Sequence, residues 1–339
     1  MYPGDAEFGF ELLVCRWAET SWPPGSTRES AVVVSRQLGT KRRRWDTVVL
    51  ECDPDGLAAR RQFGERELDS DLLHVVRHAP AEWEWYRNAL PHPGYPWRYV
   101  RAAVHRAADR GVVEKRRQGN RIEIRRIAPY PDWLRRIVAI ENKPDLDASA
   151  ARALAGQLEH DVEAALADEV WVATEATGSR IEPALLEDLP VDVGIVTLSF
   201  DADAGAVVPI ENDSVGTVEW YPSEVTPPDA SGDEERRRRR LELAERAYGR
   251  GWRSYHETMR PDCRHFELRR FGRALVPHCA ANGRSQTAAE CAGSCPEFEP
   301  EPPAWRSRGW PIEGGPGKGI KRLLRRRRER VRERETVRD

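Results

Sequence analysis

The chain has 339 residues, more than one ordinary core accommodates and enough for roughly two or three domains of about 100 to 150 residues each. Its 54 Lys and Arg are balanced by 56 Asp and Glu, which excludes an overall polycation, yet "DEERRRRRLELAERAYGR" and "KGIKRLLRRRRERVRERETVRD" are strongly basic and "ENDSVGTVEWYPSEVTPPDASGDEE" is acidic. No apolar run approaches the ~20 residues of a membrane span and no signal-peptide pattern opens the chain, so the expectation is a cytoplasmic protein without a membrane partner.

"FGFELLVCRWAE" has apolar residues at helical spacing and predicts a first helix carrying Glu11 and Glu19. "AVVVSRQL" and "RWDTVVLEC" are β-branched runs joined by "GTKRR", which predicts a hairpin with Asp46 near the start of its second strand. These elements form the first part of an α/β core over residues 8–60. Residues 61–130 follow another pattern: three helices, "SDLLHVVRHA", "AEWEWYRNAL" and "PWRYVRAAVHRAADR", then a hairpin, "GVVEKRRQGNRIEIRR", turned at "QGN". In the third helix Val100, Ala103, Val104, Ala107 and Ala108 make an apolar stripe, leaving Arg98, Arg101, His105 and Arg106 on other faces, and Gly111 ends it.

The core pattern resumes over residues 131–221 with the strand "WLRRIVAIENK", the helix "DASAARALAGQLEHDVEAALAD" capped by Asp147, and the strands "EVWVAT" and "VGIVTLSF". Residues 61–130 therefore read as an insertion into one sheet, and without them Asp46 and Glu141 fall on adjacent strands. An acidic linker, 222–234, precedes a basic helix and cysteine-rich segment, 235–300, and a basic tail, 301–339.

Lysine is scarce: Lys41, Lys115, Lys143, Lys318 and Lys321 are the only ones. Lys143 ends an apolar run in the pattern Glu141-x-Lys143, where a compact ammonium is something arginine does not imitate. Strand side chains alternate with period two, so Glu141 and Lys143 share a face. Asp46 and Glu141 suit Mg²⁺ or Mn²⁺, since a hard cation of this kind takes one or two carboxylates and keeps waters for a substrate phosphate to displace. Lys143 beside it would orient or deprotonate water, or neutralise charge on a phosphoryl group. The plain alternative is a strand-edge aspartate, a glutamate paired with an arginine, and a lysine that merely ends a strand before Pro144.

The order helix, hairpin with Asp46, Glu-x-Lys strand, helix with Gln157, strand, strand resembles the PD-(D/E)xK nuclease superfamily, the restriction-endonuclease-like fold. The resemblance covers residues 8–52 and 131–200. It implies a mixed sheet flanked by helices, with Asp46 as the first-motif acid, Glu141 and Lys143 as the second motif, and Gln157 as the polar residue of the following helix. Glu11, or else Glu19, would be the extra glutamate of the first helix. Trp45 stands where the superfamily's name puts proline. The inserted segment resembles a winged helix-turn-helix domain, with Arg98, Arg101 and His105 on the recognition helix and Lys115, Arg116, Arg117 and Arg121 on the wing, all placed to meet phosphates. Winged helices also dock proteins. The whole chain further resembles an uncharacterised haloarchaeal domain-of-unknown-function family, which implies no assigned activity.

Cys263, Cys279, Cys291 and Cys295 gather in a segment poor in aliphatic residues, and below ~40 residues a fold usually needs a metal or disulfides. Four thiolates suit Zn²⁺ or an iron–sulfur cluster, with His265 or His278 able to replace one. Some nucleases of the superfamily carry such a cluster with one cysteine upstream of the core; here all four lie downstream, which favours zinc. Cys15 and Cys52 read as small apolar residues. Trp252, Tyr255, Phe266 and Phe271 would stack on bases or form a small core around the metal. The functional expectation is a Mg²⁺-dependent nuclease acting on DNA, RNA remaining open, in repair, replication or defence. The alternatives are a non-catalytic nucleic-acid-binding regulator on a degenerate nuclease fold and an adaptor in a protein assembly.

Overall fold

The computed structural model describes residues 3–24, 30–40, 43–92, 94–176, 187–200, 208–209, 214–225, 233–252, 263–271, 274–284 and 295–299. Lys41, Tyr255, Cys291, residues 226–232 of the acidic linker and the basic tail, with Lys318 and Lys321, lie outside the described residues. Helix α1 (Pro3–Ser21) precedes the antiparallel hairpin of β1 (Ala31–Gly39) and β2 (Arg44–Cys52), paired from Ala31↔Cys52 to Gly39↔Arg44. The turn is tight enough that a β-carbon on Gly39 would collide with the carbonyl of Arg43. Helix α2 (Pro54–Arg60) begins with proline in its first turn, and the Asp53 carboxylate caps it by accepting the Gly56 N–H at 2.7 Å.

The inserted segment runs α3 (Ser70–His78), β3 (Glu84–Trp85), α4 (Tyr86–Ala89), α5 (Trp97–Asp109), β4 (Val113–Gln118) and β5 (Arg121–Arg126), with the strands in the order β3-β5-β4. It has its own core, in which Leu72, Val76, Val100, Val104, Ala107 and Ile124 are buried. One element departs from the sequence reading: "AEWEWYRNAL" is not a full helix. Glu84 and Trp85 pair with Ile124 and Glu123, and Leu90 is extended before Pro91, as proline requires of its predecessor, so only one helical turn remains between them.

The core continues with β6 (Leu134–Asn142), α6 (Ala148–Ala164), β7 (Glu169–Glu175), β8 (Gly194–Phe200), β9 (Val208–Pro209), β10 (Ser214–Trp220), α7 (Asp233–Arg250), β11 (Phe266–Phe271) and β12 (Ala274–Cys279). The fold is α/β: a mixed six-stranded sheet ordered β1-β2-β6-β7-β8-β10, two small three-stranded sheets, and helices against both large faces. β2 and β6 pair antiparallel across the insertion, as the pattern predicted, while β6-β7 and β7-β8 are parallel. One face, with Val32, Val49, Ile140 and Trp171, packs on α1; the other packs on α2 and α7 through Val33, Leu50 and Ala139, and on α6 through Val170 and Val172.

The basic helix expected in the segment 235–300 is α7, which lies across the sheet with Leu243, Ala244, Ala247 and Tyr248 buried. Trp252 and Phe266 are only 1% and 3% exposed and pack with α1 in the main core, so neither is free to stack on bases or to form a separate core around a metal. Among the described residues no helix is long and apolar enough to cross a membrane.

Fully buried Arg60 and Glu245 join the insertion to this framework. The guanidinium grips the carboxylate at 2.6 Å through both Nε and Nη2, donates to the carbonyls of Gly64 and Arg66, and lies over the Tyr248 ring. Glu245 also accepts the Tyr130 hydroxyl at 2.6 Å and the Leu68 N–H at 2.8 Å. Burial and Glu245 together hold the Tyr130 hydroxyl far above its ordinary pKa. Truncating one partner strands the other charge in the core, so Arg60→Ala or Glu245→Ala should each lose about 3–5 kcal/mol in urea unfolding. The combined Arg60→Met, Glu245→Leu, Tyr130→Phe variant should lose less than either; a larger loss would mean that the network contributes net stability.

Candidate functional site

The β2–β6 ladder runs as far as Thr47↔Ile140, and one step further Asp46 stands opposite Glu141. Alternation puts both on the face that carries Val48 and Ala139, covered by α6 and α7. Both lie at the carboxyl ends of the parallel strands, where open α/β sheets tend to bind ligands. Asp46 accepts the Asn142 N–H at 3.0 Å and the Gln37 side-chain amide at 3.1 Å. Burial and the neighbouring Glu141 push its carboxyl above the ordinary carboxylate range, against the opposing pull of the Asn142 N–H, Lys143 and Gln37.

Gln37 has φ +52°, a left-handed backbone unusual outside glycine, and interrupts the β1–β2 ladder between Arg36↔Thr47 and Leu38↔Trp45. Its amide donates both to Asp46 and, at 2.9 Å, to Glu11. Glu11 itself comes from the α1 side and is gripped by Arg36 at 3.0 and 3.3 Å, so it joins the site through Gln37 and carries its own counter-charge. Glu19 instead pairs with Arg16.

Arg43, at the end of the hairpin turn, reaches over the site. Its Nη2 lies 2.9 Å from Glu141 Oε2 and 2.8 Å from Asp161 Oδ2, and Asp161 is a buried acid on α6. The arginine partner entertained for Glu141 from the sequence is thus present. Lys143 follows β6 directly, its N–H bonding the Ala173 carbonyl at 2.8 Å, and its charge is felt by Asp46. Gln157 stands one helical turn before Asp161, and its buried Nε2 makes no hydrogen bond among the described residues. Gln37, Arg43 and Asp161 were missed by the sequence reading. Only the spacing of Gln157 and Asp161, four apart on one helix face, hinted at any of them.

This donor set fits a hard divalent cation. Glu141 raises the cost of ionising Asp46, which such a cation relieves, and Mg²⁺ needs no more than one or two carboxylates from the protein. Among the described residues no three His, Cys, Asp or Glu side chains form a metal-binding group, and the Arg43 guanidinium lies 2.9 Å from Glu141, on the side a cation would take.

Six of the seven basic residues assigned to nucleic acid come together. Arg98, Arg101 and His105 of α5 and Lys115, Arg116 and Arg117 of β4 line a cleft of roughly 630 Å³ with Asn120 and Ile122. Lys115 Nζ lies 2.9 Å from His105 Nδ1, and Arg116 pairs with Glu123 at 2.7 Å. Arg121 is not among the lining residues and stacks on Trp85, while Arg106 is turned to Asp69 and Asp71 at the start of α3.

Cys263 and Cys279 are buried and Cys295 is half-buried, all three packed at the α1-side core, and Cys291 lies outside the described residues. Among the described residues no metal-binding cysteine cluster is found. Cys263, Cys279 and Cys295 pack in one cluster with Phe266 and Phe298. Cys15 and Cys52 are buried as expected, and burial drives the Cys15 thiol pKa up.

With its folded-state pKa raised, Asp46 favours the fold below the ordinary carboxylate value, and that contribution is lost as pH rises through the raised one. In Glu141→Gln the Asp46 carboxyl carbon should titrate at lower pH by ¹³C NMR. A midpoint unchanged from wild type would show that Asp46 does not sense Glu141.

No curated protein and no solved structure matches this chain. One family model does, over a span that includes Gln37, Arg43, Asp46, Glu141 and Lys143 and leaves out Glu11. The chain belongs to that family, the family of unknown function DUF5787, matched over residues 33–300.

Proposed function

We propose that this protein is a metal-dependent nuclease that hydrolyses phosphodiester bonds, with DNA as its substrate. The observation that carries the reading is the meeting of Asp46 and Glu141 across adjacent strands, with Lys143 on the residue pattern Glu-x-Lys. Asp46 and Glu141 would hold Mg²⁺ or Mn²⁺, which when bound supplies charge neutralisation at the phosphoryl group and a more acidic water. Gln37 and the Asn142 N–H fix the Asp46 carboxylate, and Lys143 hydrogen-bonds the attacking water or a non-bridging phosphate oxygen. Water adds to phosphorus, the P–O ester bond breaks, and the leaving oxygen takes up a proton. The cleft between α5 and β4 supports the nucleic-acid part of the reading. Its order of elements resembles a winged helix, and its guanidinium and ammonium groups suit phosphate oxygens.

A second reading has one observation in its favour. Arg43 stands on Glu141 where a cation would bind, as in a regulator that binds nucleic acid and has given up catalysis. Incubation of labelled single- and double-stranded DNA with Mn²⁺ or Mg²⁺ separates the two. The nuclease cuts, Lys143→Ala cuts roughly 10²–10⁴-fold more slowly, and Glu141→Ala does not cut. Binding by wild type without cutting on any substrate, RNA included, would establish the regulator. Arg98→Gln and Arg101→Gln should each weaken binding to all sequences alike and lower the slope of log K against log salt by about 0.9.

A further inference from the structure

A second cationic surface lies around the turn that carries Arg43. Gly39 is paired directly with Arg44 in the hairpin. Arg246 of α7 donates to the carbonyl of Gly39, and Arg250 donates to the carbonyl of Gln37 at 3.1 Å. Both contacts bring the last turns of α7 onto the backbone that bends around Asp46. Arg44, Arg246 and Arg250 are all exposed, and among the described residues none of them is ion-paired with a carboxylate. Glu11, the acid sensed by Arg250, is already engaged by Arg36 and Gln37. Arg250 is easier to deprotonate than an ordinary arginine, through burial and then through Arg36, Arg44 and Arg246, so the local field is positive. Among the described residues no carboxylate pairs with these three guanidiniums, and an anion with several charges offsets their mutual repulsion.

We propose that Arg44, Arg246 and Arg250 form a phosphate-binding subsite that holds the nucleic-acid backbone flanking the Asp46–Glu141 pair. Its occupant is the backbone rather than an acidic protein because of where the subsite lies. The Gln37 carbonyl bound by Arg250 belongs to the residue whose amide binds Asp46, and a strand with one phosphate at the acid pair carries further charges about every 3.4 Å along its axis. Guanidinium forks bind such phosphates in pairs of hydrogen bonds. The inference rests on the nucleic-acid part of the functional reading and not on hydrolysis.

The test uses the full chain with Glu141→Ala, in EDTA, and fluorescence anisotropy of labelled duplex DNA across a salt series. Replacing Arg44, Arg246 and Arg250 together by Gln should raise Kd at least tenfold and reduce the salt slope by roughly 2–3, at about 0.9 for each phosphate that the variant no longer neutralises. Replacing the same three by Lys should leave the slope near that of wild type, which a folding defect in the Gln variant would not produce. Unchanged affinity and slope in the Gln variant would overturn the proposal. So would the absence of DNA binding by the chain at low salt, or displacement of the DNA by polyglutamate at equal charge concentration. If wild type never cuts DNA but the slope falls as expected, hydrolysis is rejected and the subsite stands.

Discussion

The ion pair of Arg60 and Glu245 is the constraint on which the arrangement of the molecule depends. Arg60 closes the helix after the hairpin, the carbonyls it binds belong to the segment entering the insertion, and Tyr130 stands where the chain leaves it. One carboxylate on α7 therefore holds both ends of the inserted domain. Two charges taken fully out of water repay their desolvation only when the remaining donors and acceptors are used, and here the Leu68 N–H, the Tyr130 hydroxyl and two carbonyls engage all but one N–H of the guanidinium. The arrangement is specific, because a slip of α7 would part its one carboxylate from all of these groups at once.

The same helix links that buried network to the candidate site. Its middle turns bury Leu243, Ala244 and Ala247 against the sheet, and its last turn reaches the backbone of the β1–β2 hairpin. At that hairpin, charge is arranged in alternating layers. Arg36 answers Glu11, Gln37 connects Glu11 to Asp46, and Arg43 joins Glu141 to Asp161. Acids on one sheet are commonly neutralised by a neighbour on the adjacent strand. Asp46 and Glu141 face each other instead, and their counter-charge comes from Lys143 at the end of β6 and from Arg43 in the turn.

Much of this was legible in the chain. Short β-branched and apolar runs located β1, β2 and β6, and the change to helical spacing after Arg60 marked the insertion, which in turn made Asp46 and Glu141 neighbours. Asp147 capped its helix as its side chain suggested. What stayed hidden was tertiary. Arg43 and Asp161 are 118 positions apart, and nothing local distinguishes that arginine from others in "KRRRW". Gln37 reads as an ordinary strand residue, and its positive φ follows from where its amide is needed. The cysteine-rich segment, judged too poor in apolar residues to fold alone, packs on α1, about 250 positions away in the sequence, which composition cannot reveal. "AEWEWYRNAL" misled because its aromatics suit a strand edge as well as a helix.

Chain order gives the α7 contact a consequence in time. Arg60 and Glu245 are separated by 185 positions, so a ribosome adding about 5–20 residues per second makes the arginine roughly 10–40 s before its partner. During that interval the sheet face destined for α7 is bare, and β1 forms an uncovered edge with Val33 exposed beside it. The inserted domain, whose buried core residues are its own with Leu241 of α7 packed against them, can begin to fold in the meantime, but it has no fixed seat on the sheet. Assembly of the two bodies therefore waits for synthesis of the helix that joins them, and a nascent chain truncated before residue 245 would be a folded domain tethered to an open sheet.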